Sequence, residues 1–215
     1  MIELHYHPSN ASMAPHILLE ELQAPFRLRL VDRDVGAHKA PDYLKLNPNG
    51  LIPVMIDGDL VLYENAAILL HLADTHAAAG LAPPLGTAAR AHFYKWLIWL
   101  TNTPQPLLIS YYYPERVVDD GNAEGAAQVK ACAEARMAPL LAQIEAQLQS
   151  HGGPWLLGPH YSAADPLAFM LCRWTRNFAH PARNLPGLGA YLARMLERPA
   201  VQRALATERL PQPWI

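Results

Sequence analysis

Cysteine is scarce in this sequence, and so are other features that mark particular classes of protein. Among 215 residues there are only two cysteines, Cys132 and Cys172, and each lies within a helix-like pattern. Two isolated thiols of this kind are typical of buried structural side chains rather than of a disulfide framework or a nucleophile. Basic runs are also missing, and the net charge is −2. We therefore expect no nucleic-acid partner.

Long apolar runs are missing as well. No stretch reaches the roughly 20 residues that a helix needs to span a bilayer. The N-terminal segment Met1–His7 alternates like a strand and lacks the basic start and apolar block of a signal peptide. We therefore expect no membrane segment and a cytoplasmic protein. His5 and His7 share one face of that strand, but no third ligand accompanies them, so no metal site is expected.

The hydrophobic pattern changes along the chain and predicts two domains. Up to about residue 76, strand and helix patterns follow the order β-α-β-(α)-β-β-α, which favours one small mixed sheet with helices on its faces. The segment Ala77–Thr87 carries Ala, Gly and a Pro83-Pro84 pair, as linkers do. Beyond it only helical patterns remain, which predicts an all-α bundle. We expect the two domains at 1–78 and 87–215.

Individual elements are predicted from periodicity and from capping residues. In the first domain we expect strands at Ile2–His7 and Phe26–Val31, a hairpin over 51–63, a helix at Ser12–Leu22 and a short helix or turn at Asp42–Leu46. In the second we expect four helices, at Ala88–Tyr112 with a bend at Pro104 and Pro106, Glu124–Ser150 with an interruption near Pro139, Ser162–Asn177, and Gly187–Arg198. Ser162 and Asp165 form a predicted capping box, with Asp in place of the usual Glu.

A proline lies inside the predicted hairpin, at a position that strands normally exclude. Pro53 follows Ile52 in an apolar run that turns at Asp57-Gly58-Asp59 and returns through Leu60–Tyr63. Proline removes one donor from the strand ladder, so a buried strand needs a reason to keep it. A cis Ile52-Pro53 bond would turn the N–H and C=O groups of Ile52 outward, where an extended peptide could pair with them.

Glu64 and Asn65 stand where the hairpin ends and an apolar helix begins. A carboxylate at this place can hold an ammonium group, and the free N–H groups of a helix N-terminus can hold a carboxylate. By itself such a pair is more often a helix cap, but the Ile52-Pro53 dipeptide lies close before it. Together these features predict a site for a small peptide with a free α-amino acid end.

These features also resemble one known family in their order and spacing. The segments that carry the resemblance are Tyr6–His16, Asn47–Pro53, Glu64–Ile68 and Ser162–Asp165. Over nearly its whole length the chain resembles the cytosolic glutathione transferase superfamily. The resemblance implies an α/β thioredoxin-like N-terminal domain followed by an all-α helical domain, which is the glutathione transferase fold, and a homodimer. Around Met13–His16 the chain is similar to the bacterial beta class, which has a cysteine where this chain has Ala11.

The resemblance implies a role for each of several residues toward glutathione. The backbone of Ile52, beside cis Pro53, would pair with the cysteinyl unit. Glu64 would hold the γ-glutamyl ammonium group, and Asn65 would take the γ-glutamyl carboxylate through its N–H and side chain. The family usually has Ser where this chain has Asn65. His38 or Lys39 lies where several classes place a cation for the glycyl carboxylate.

The residue that activates the thiol is left open by the sequence. Serine-using classes place their hydroxyl at about Asn10, which Ser9 and Ser12 flank, and other classes use a tyrosine on the first strand, where Tyr6 stands. Our order of preference is Asn10, Ser12, Ser9 and Tyr6. A free thiol has a pKa of about 8.5, and lowering it by about two units takes roughly 2.7 kcal/mol. One hydrogen bond to the charged sulfur, about 1.5–3 kcal/mol, with a helix N-terminus is sufficient.

The implied reaction joins the glutathione thiolate to a small apolar electrophile, or reduces a peroxide with it. Candidate walls for the second substrate are flat or flexible apolar side chains, namely Met13, Tyr111, Tyr112, Tyr113 and Trp174. Two other functions stay open. One is a non-catalytic binding or carrier protein with the same peptide site, and the other is a specialised transferase such as an isomerase or dehalogenase.

Overall fold

A four-stranded mixed sheet forms the first part of the structure, a computed structural model that describes all 215 residues. The strands are β1 (Ile2–Tyr6), β2 (Phe26–Leu30), β3 (Val54–Asp57) and β4 (Leu60–Tyr63), in the order β2-β1-β3-β4. β1 runs parallel to β2, and the pairs β1–β3 and β3–β4 are antiparallel. Gly58 supplies the positive φ of +59° in the β3–β4 turn, which glycine adopts without steric cost.

Three helices accompany the sheet: α1 (Met13–Leu22), α2 (Pro41–Leu46) and α3 (Asn65–Thr75). The first seven residues of α1, Met13–Leu19, are all buried. A helix with no exposed face in this stretch must be covered on more than one side. The structure shows the cover, because α1 packs against α3 in its own half and against two helices of the second half.

The second half is entirely helical, as the sequence predicts. Its helices are α4 (Ala88–Asn102), α5 (Pro104–Tyr112), α6 (Ala123–His151), α7 (Ala164–Trp174), α8 (Pro186–Glu197) and α9 (Pro199–Thr207). Every residue of α7 is buried, and α1 packs directly against α7 and α9. One apolar core therefore continues through both halves. No helix has both the length and the apolar composition that crossing a bilayer requires.

Prolines account for the differences between predicted and observed helices. The single bent helix expected over 88–112 is two helices, because Pro104 begins α5 at a position where no N–H is needed. The interruption expected near Pro139 is wrong, since α6 continues through it. Pro199 begins a separate helix, α9, which the sequence analysis did not find.

The capping box at the start of α7 is present, with a wider role than expected. Asp165 accepts hydrogen bonds from the N–H of Ser162 at 2.8 Å and from the N–H of Leu156 at 2.9 Å. The Tyr191 hydroxyl donates to the same carboxylate at 3.1 Å. The Ser162 hydroxyl accepts a hydrogen bond from the backbone N–H of Ala164, and not from the backbone N–H of Asp165 as the capping box predicts. Burial raises the pKa of Asp165 to about 6, against the opposing effect of these donors.

The two cysteines differ from each other. Cys172 is buried in α7, and burial raises the pKa of its thiol to about 12, so it is an inert structural side chain as predicted. Cys132 is exposed on α6, and the prediction that it is buried is wrong. A helical repeat alone placed Cys132 on the wrong face, because α6 has a solvent side for much of its length.

Candidate active site

A cavity of about 520 Å³ lies between the two halves of the chain. One wall is formed by the loop after β1, by the segment around Arg33–Lys39 and by Gly50–Ile52. The facing wall is formed by α5, by the turn that follows it and by the end of α7. The N-terminal half, which carries the predicted peptide site, and the helical half therefore meet at one concave surface.

The backbone of Ile52 is free at this surface. The Ile52-Pro53 bond is cis, as the sequence predicts. The pairing of β3 with β1 starts only at Val54, and the N–H and C=O of Ile52 make no hydrogen bond within the protein. The carbonyl just before it is different, since Leu51 O accepts from Tyr43 at 2.8 Å and from Asn47 at 2.9 Å. One backbone donor and one acceptor thus remain available to an extended ligand.

Glu64 has an unusual backbone and a free side chain. Its φ of +75° and ψ of +117° lie in a sparsely populated region that costs on the order of 1–3 kcal/mol for a residue with a Cβ. Its carboxylate is exposed and forms no ion pair in the structure. Helix α3 begins at the next residue, and the N–H groups of Asn65, Ala66 and Ala67 have no acceptor. A negative group and a set of free donors are therefore neighbours here.

One donor of the Asn65 side chain is used within the protein. The side chain is buried, and its Nδ2 donates to the carbonyl of Ala11 at 2.9 Å. This bond fixes the start of α3 to the loop that carries Asn10. The backbone N–H groups at the start of α3 remain free for a carboxylate. Neither Glu64 nor Asn65 lines the cavity itself, so the predicted peptide extends from the cavity along the surface toward α3.

Of the two residues considered for the glycyl carboxylate, Lys39 is the cation. Both Lys39 and His38 line the cavity. Burial, together with the charges of Arg33 and Lys39, lowers the pKa of His38, so its ring is neutral at pH 7. Gly50 packs against this pair, since a Cβ there would lie 2.8 Å from Lys39 Nζ and 2.9 Å from the His38 carbonyl.

Asn10 and Ser9 are the candidates for thiol activation that line the cavity. The Asn10 Oδ1 accepts from the N–H of Ala11 at 2.6 Å, which orients the amide and leaves its Nδ2 donor free. The Ser9 hydroxyl accepts from Arg173 Nη1 at 2.8 Å, which leaves its own proton free to donate. Both side chains can therefore offer a hydrogen bond to an anion.

Ser12 and Tyr6 lie elsewhere. Ser12 is fully buried, and its hydroxyl donates to the His7 carbonyl at 3.1 Å and accepts from the His7 N–H at 3.2 Å. Tyr6 packs toward the His16 ring, with centroids 6.3 Å apart, and does not line the cavity. The structure places neither where it could contact a ligand in the cavity.

The predicted walls for a second substrate are also divided. Tyr112, Tyr113 and Trp174 line the cavity. The Tyr112 hydroxyl donates to the Trp174 carbonyl at 2.5 Å, which joins α5 to the end of α7. Met13 is fully buried in the core, and Tyr111 packs against Phe178 with ring centroids 4.4 Å apart. The prediction that these two residues line the pocket is wrong, because the amphipathic pattern does not separate a cavity wall from a core.

Comparison with known proteins follows the same division of the chain. Residues 2–74 match the family model for the glutathione S-transferase N-terminal domain, and residues 110–208 match a model for the glutathione S-transferase C-terminal domain. The chain belongs to the glutathione S-transferase family. It is 32% identical to glutathione S-transferase GST-4.5 of Xanthomonas campestris, with 97% of this chain and all of that protein covered.

Solved structures of the family have the same fold. A glutathione S-transferase from Xylella fastidiosa is 31% identical and superimposes with a TM-score of 0.88, covering 98% of this chain and 100% of the other. A glutathione transferase homologue from Sulfitobacter with bound glutathione is 26% identical, with a TM-score of 0.89 and coverage of 98% and 99%. The fold predicted from the sequence, a thioredoxin-like α/β domain with an all-helical domain, is confirmed.

This glutathione S-transferase family member also has a buried polar network that the sequence did not reveal. Glu208, just after α9, accepts from the Ser9 N–H at 2.8 Å and from His16 Nδ1 at 2.9 Å. Arg173 is buried beside it, and burial lowers the pKa of its guanidinium to about 10. Ser9 itself has a φ of +61°. The partners are up to 199 residues apart along the chain, so no local motif could have indicated them.

Several cavity residues were missed for the same reason. Arg33 follows β2, Gln105 and Ile109 belong to α5, and Arg116 and Arg176 lie in the turns after α5 and α7. No spacing rule links these positions. No group of three or more His, Cys, Asp or Glu side chains is placed to hold a metal ion.

Proposed function

We propose that this protein is a glutathione transferase, which binds glutathione at the cavity, stabilises its thiolate and conjugates it to an electrophile. The observation that carries the proposal is the unpaired backbone of Ile52 beside a free Glu64 carboxylate and the free N-terminus of α3. A tripeptide with an amino-acid head needs these three kinds of partner. The relatives named glutathione S-transferases, and the Sulfitobacter homologue with bound glutathione, support the same ligand.

In this proposal each part of glutathione has its own partner. The cysteinyl backbone pairs with the N–H and C=O of Ile52, as a strand pairs with a sheet edge. The γ-glutamyl ammonium group is held by Glu64 and its carboxylate by the backbone N–H groups at the start of α3. The glycyl carboxylate is held by Lys39. The thiol then points to the loop that carries Ser9 and Asn10, which forms the adjacent wall.

Asn10 is our first candidate for the group that stabilises the thiolate, and Ser9 is the second. The Asn10 amide is already oriented by Ala11, so its Nδ2 can donate without further ordering. One hydrogen bond to a charged acceptor contributes about 1.5–3 kcal/mol, and about 2.7 kcal/mol corresponds to a fall of two units in the thiol pKa. The buried positive charge of Arg173, bonded to Ser9, acts in the same direction.

The chemical step is a nucleophilic substitution or addition. Glutathione loses its thiol proton to solvent, and the thiolate electron pair forms a new bond from sulfur to the electrophilic carbon. In a substitution the bond to the leaving group breaks, and the leaving group departs with its electron pair. In an addition to an activated double bond the π bond breaks, and the carbanion that forms takes a proton from solvent. The protein contributes a lower thiol pKa and the proximity of the two reactants.

The ultraviolet difference spectrum of bound glutathione near pH 7 tests this function. A thiolate absorption band on binding, together with conjugation of 1-chloro-2,4-dinitrobenzene, is the expected result. Glutathione binding without the band and without turnover would support the carrier alternative instead. No binding of glutathione would remove both functions.

The homodimer and the apolar character of the second substrate also belong to this proposal. β4 is an edge strand of the sheet and carries the exposed apolar side chains of Leu60 and Val61. Exposed apolar surface on an edge strand is a common place for contact between chains. Sedimentation equilibrium should give twice the chain mass of 23.8 kDa, and a mass equal to one chain would refute the dimer.

A further inference from the structure

The cavity is strongly cationic although the chain as a whole has a net charge of −2. Arg33, Lys39, Arg116 and Arg176 line it, and no Asp or Glu does. None of these four side chains forms an ion pair with a carboxylate in the protein. Four like charges around one concave surface repel each other, and an anionic ligand would offset that cost.

Two of these cations lie close to one aromatic ring. The Arg116 guanidinium is 3.9 Å from the centroid of the Tyr113 ring, and that of Arg33 is 5.1 Å from it. Arg33 also donates to the Tyr113 hydroxyl at 2.5 Å. Arg33 comes from the N-terminal half and Tyr113 from the end of α5, so the contact crosses the cavity between the halves. These contacts with Tyr113 hold both guanidinium groups at the cavity and leave N–H donors for a carboxylate.

Arg176 adds a third cation, from the end of α7. It follows α7 two residues after Trp174, and its Nη1 donates to the carbonyl of Arg173 at 3.3 Å. Its charge and that of the buried Arg173 are close enough for Arg176 to lower the pKa of Arg173. The flat side chains of Tyr112 and Trp174, with ring centroids 6.4 Å apart, line the same cavity. The wall therefore combines aromatic surface with guanidinium groups.

Glutathione does not account for all of these charges. Its γ-glutamyl carboxylate is assigned to the start of α3 and its glycyl carboxylate to Lys39. Its ammonium group is assigned to Glu64. Arg33 from the N-terminal wall, and Arg116 and Arg176 from the wall formed by α5 and α7, then remain without an anionic partner.

We propose that the second substrate of this protein is an aromatic electrophile that carries a carboxylate or similar anionic group, recognised by Arg116 and Arg176 with Arg33. This inference rests on the proposed transferase function and narrows its apolar electrophile to one with an aromatic body and an anionic group. The aromatic body packs on Tyr112 and Trp174, and the anionic group meets the guanidinium groups. A charge-assisted, bidentate contact of this kind fixes orientation as well as affinity.

A matched pair of substrates separates charge from reactivity. The acid 4-chloro-3,5-dinitrobenzoate and its methyl ester undergo the same step, in which the glutathione sulfur bonds to the carbon that carries chlorine and chloride leaves with the bonding pair. The thiol proton goes to solvent. Each kcat/KM is divided by the uncatalysed rate constant with glutathione at the same pH. We expect the corrected value for the acid to exceed that for the ester by at least tenfold, and the ratio to fall as salt is added.

Substitutions of single arginines show which of them produce the preference for the acid. Arg116→Gln and Arg176→Gln should each lower kcat/KM for the acid at least fivefold and change that for the ester less than twofold, with the KM for glutathione unchanged. Arg136→Gln is the control, since Arg136 is an exposed cation on α6 that does not line the cavity. It should leave both substrates unaffected. Two variants in separate segments, one after α5 and one after α7, keep the test valid if one of them folds poorly.

Other results would overturn the proposal in different ways. Equal corrected rates for acid and ester would refute it while leaving the transferase function in place. A rise in the KM for glutathione in both variants, without a change in the acid-to-ester ratio, would assign the cations to glutathione itself. Two S-methylglutathione sites per chain in a calorimetric titration would assign them to a second glutathione molecule. Turnover of neither substrate would count against the proposed function as well.

Discussion

At the scale of single residues, the loop after β1 gathers the groups that can act on a thiol. Asn10 and Ser9 each have one hydrogen-bonding site fixed by the protein and one free donor. Ser12, only two residues further, has both sites of its hydroxyl occupied by the His7 backbone. The sequence could place three polar residues near the site but could not rank them, because the ranking depends on which partners each side chain already has.

Asn10→Ala should lower kcat for conjugation at least tenfold, because it removes the oriented Nδ2 donor. Glutathione affinity should stay within about threefold, since the peptide contacts of Ile52 and Glu64 are untouched. Asn10→Asp is a sharper variant, because it keeps an oxygen for the Ala11 N–H and replaces the donor by a negative charge. It should lose at least as much activity and should raise the pH at which the thiolate band appears.

Steady-state kinetics and the pH dependence of the thiolate band check this pair. Ser12→Ala is the control. Because the Ser12 hydroxyl is buried and hydrogen-bonded, this change should mainly lower the free energy of unfolding and have a smaller effect on kcat. If Asn10→Ala kept the full rate and Ser9→Ala lost it, the activating role would belong to Ser9.

At the scale of elements, helix N-termini contribute both to the stability of the fold and to the candidate site. Helix α3 begins beside Glu64 with N–H groups that have no acceptor, while the first N–H groups of α7 donate to the hydroxyl and the carbonyl of Ser162. The sequence predicted both positions from the same kind of capping pattern. What it could not predict was the Asn65–Ala11 bond, which depends on packing between distant segments.

Asp165→Ala should lower the free energy of unfolding by about 2–4 kcal/mol, because it leaves buried donors of Ser162, Leu156 and Tyr191 unpaired. The expected fall is visible in urea denaturation, followed by circular dichroism. A change below about 0.5 kcal/mol would show that the donors find other partners.

The pKa of Asp165 also makes a prediction about pH. Because burial raises this pKa to about 6 in the folded protein, from an ordinary 3.8, the folded state binds the proton more tightly than the unfolded state does. The free energy of unfolding should therefore fall as pH rises from about 4 to 6, by as much as about 3 kcal/mol, relative to Asp165→Asn. A difference between the two proteins that is constant over this window would contradict the raised pKa.

At the scale of the whole molecule, the two halves share one core and one polar network. Helix α1 lies between the sheet and the helices α7 and α9, and Glu208 at the end of α9 contacts both His16 of α1 and the Ser9 backbone. The C-terminal helix therefore helps to hold the loop that carries the candidate catalytic groups.

Glu208→Ala should lower both stability and turnover. It leaves the Ser9 N–H and His16 without their acceptor, which costs about 1–3 kcal/mol for each buried group left unpaired. The loop with Ser9 and Asn10 should then be less ordered, so kcat should fall while the KM for glutathione changes little. Thermal unfolding and steady-state kinetics measure the two effects. Lower stability with an unchanged kcat would show that the contact serves folding only.

The fold was predictable from the sequence to a larger extent than the cavity was. The change from mixed to purely helical patterns predicted the two kinds of structure, and the Ile52-Pro53 and Glu64-Asn65 dipeptides pointed to the proposed peptide site. The facing wall, with Arg116 and Arg176, follows only from the way α5 and α7 pack. Met13 was misplaced for the same reason, because a buried helix face and a cavity wall have the same apolar pattern.

The structure of the protein with bound glutathione tests the central claim most directly. The cysteinyl N–H and C=O should lie within hydrogen-bond distance of the Ile52 C=O and N–H, with the ammonium group at Glu64 and the sulfur facing Asn10 and Ser9. Glutathione bound at another place, or bound in the cavity with the Ile52 backbone still unpaired, would contradict the account.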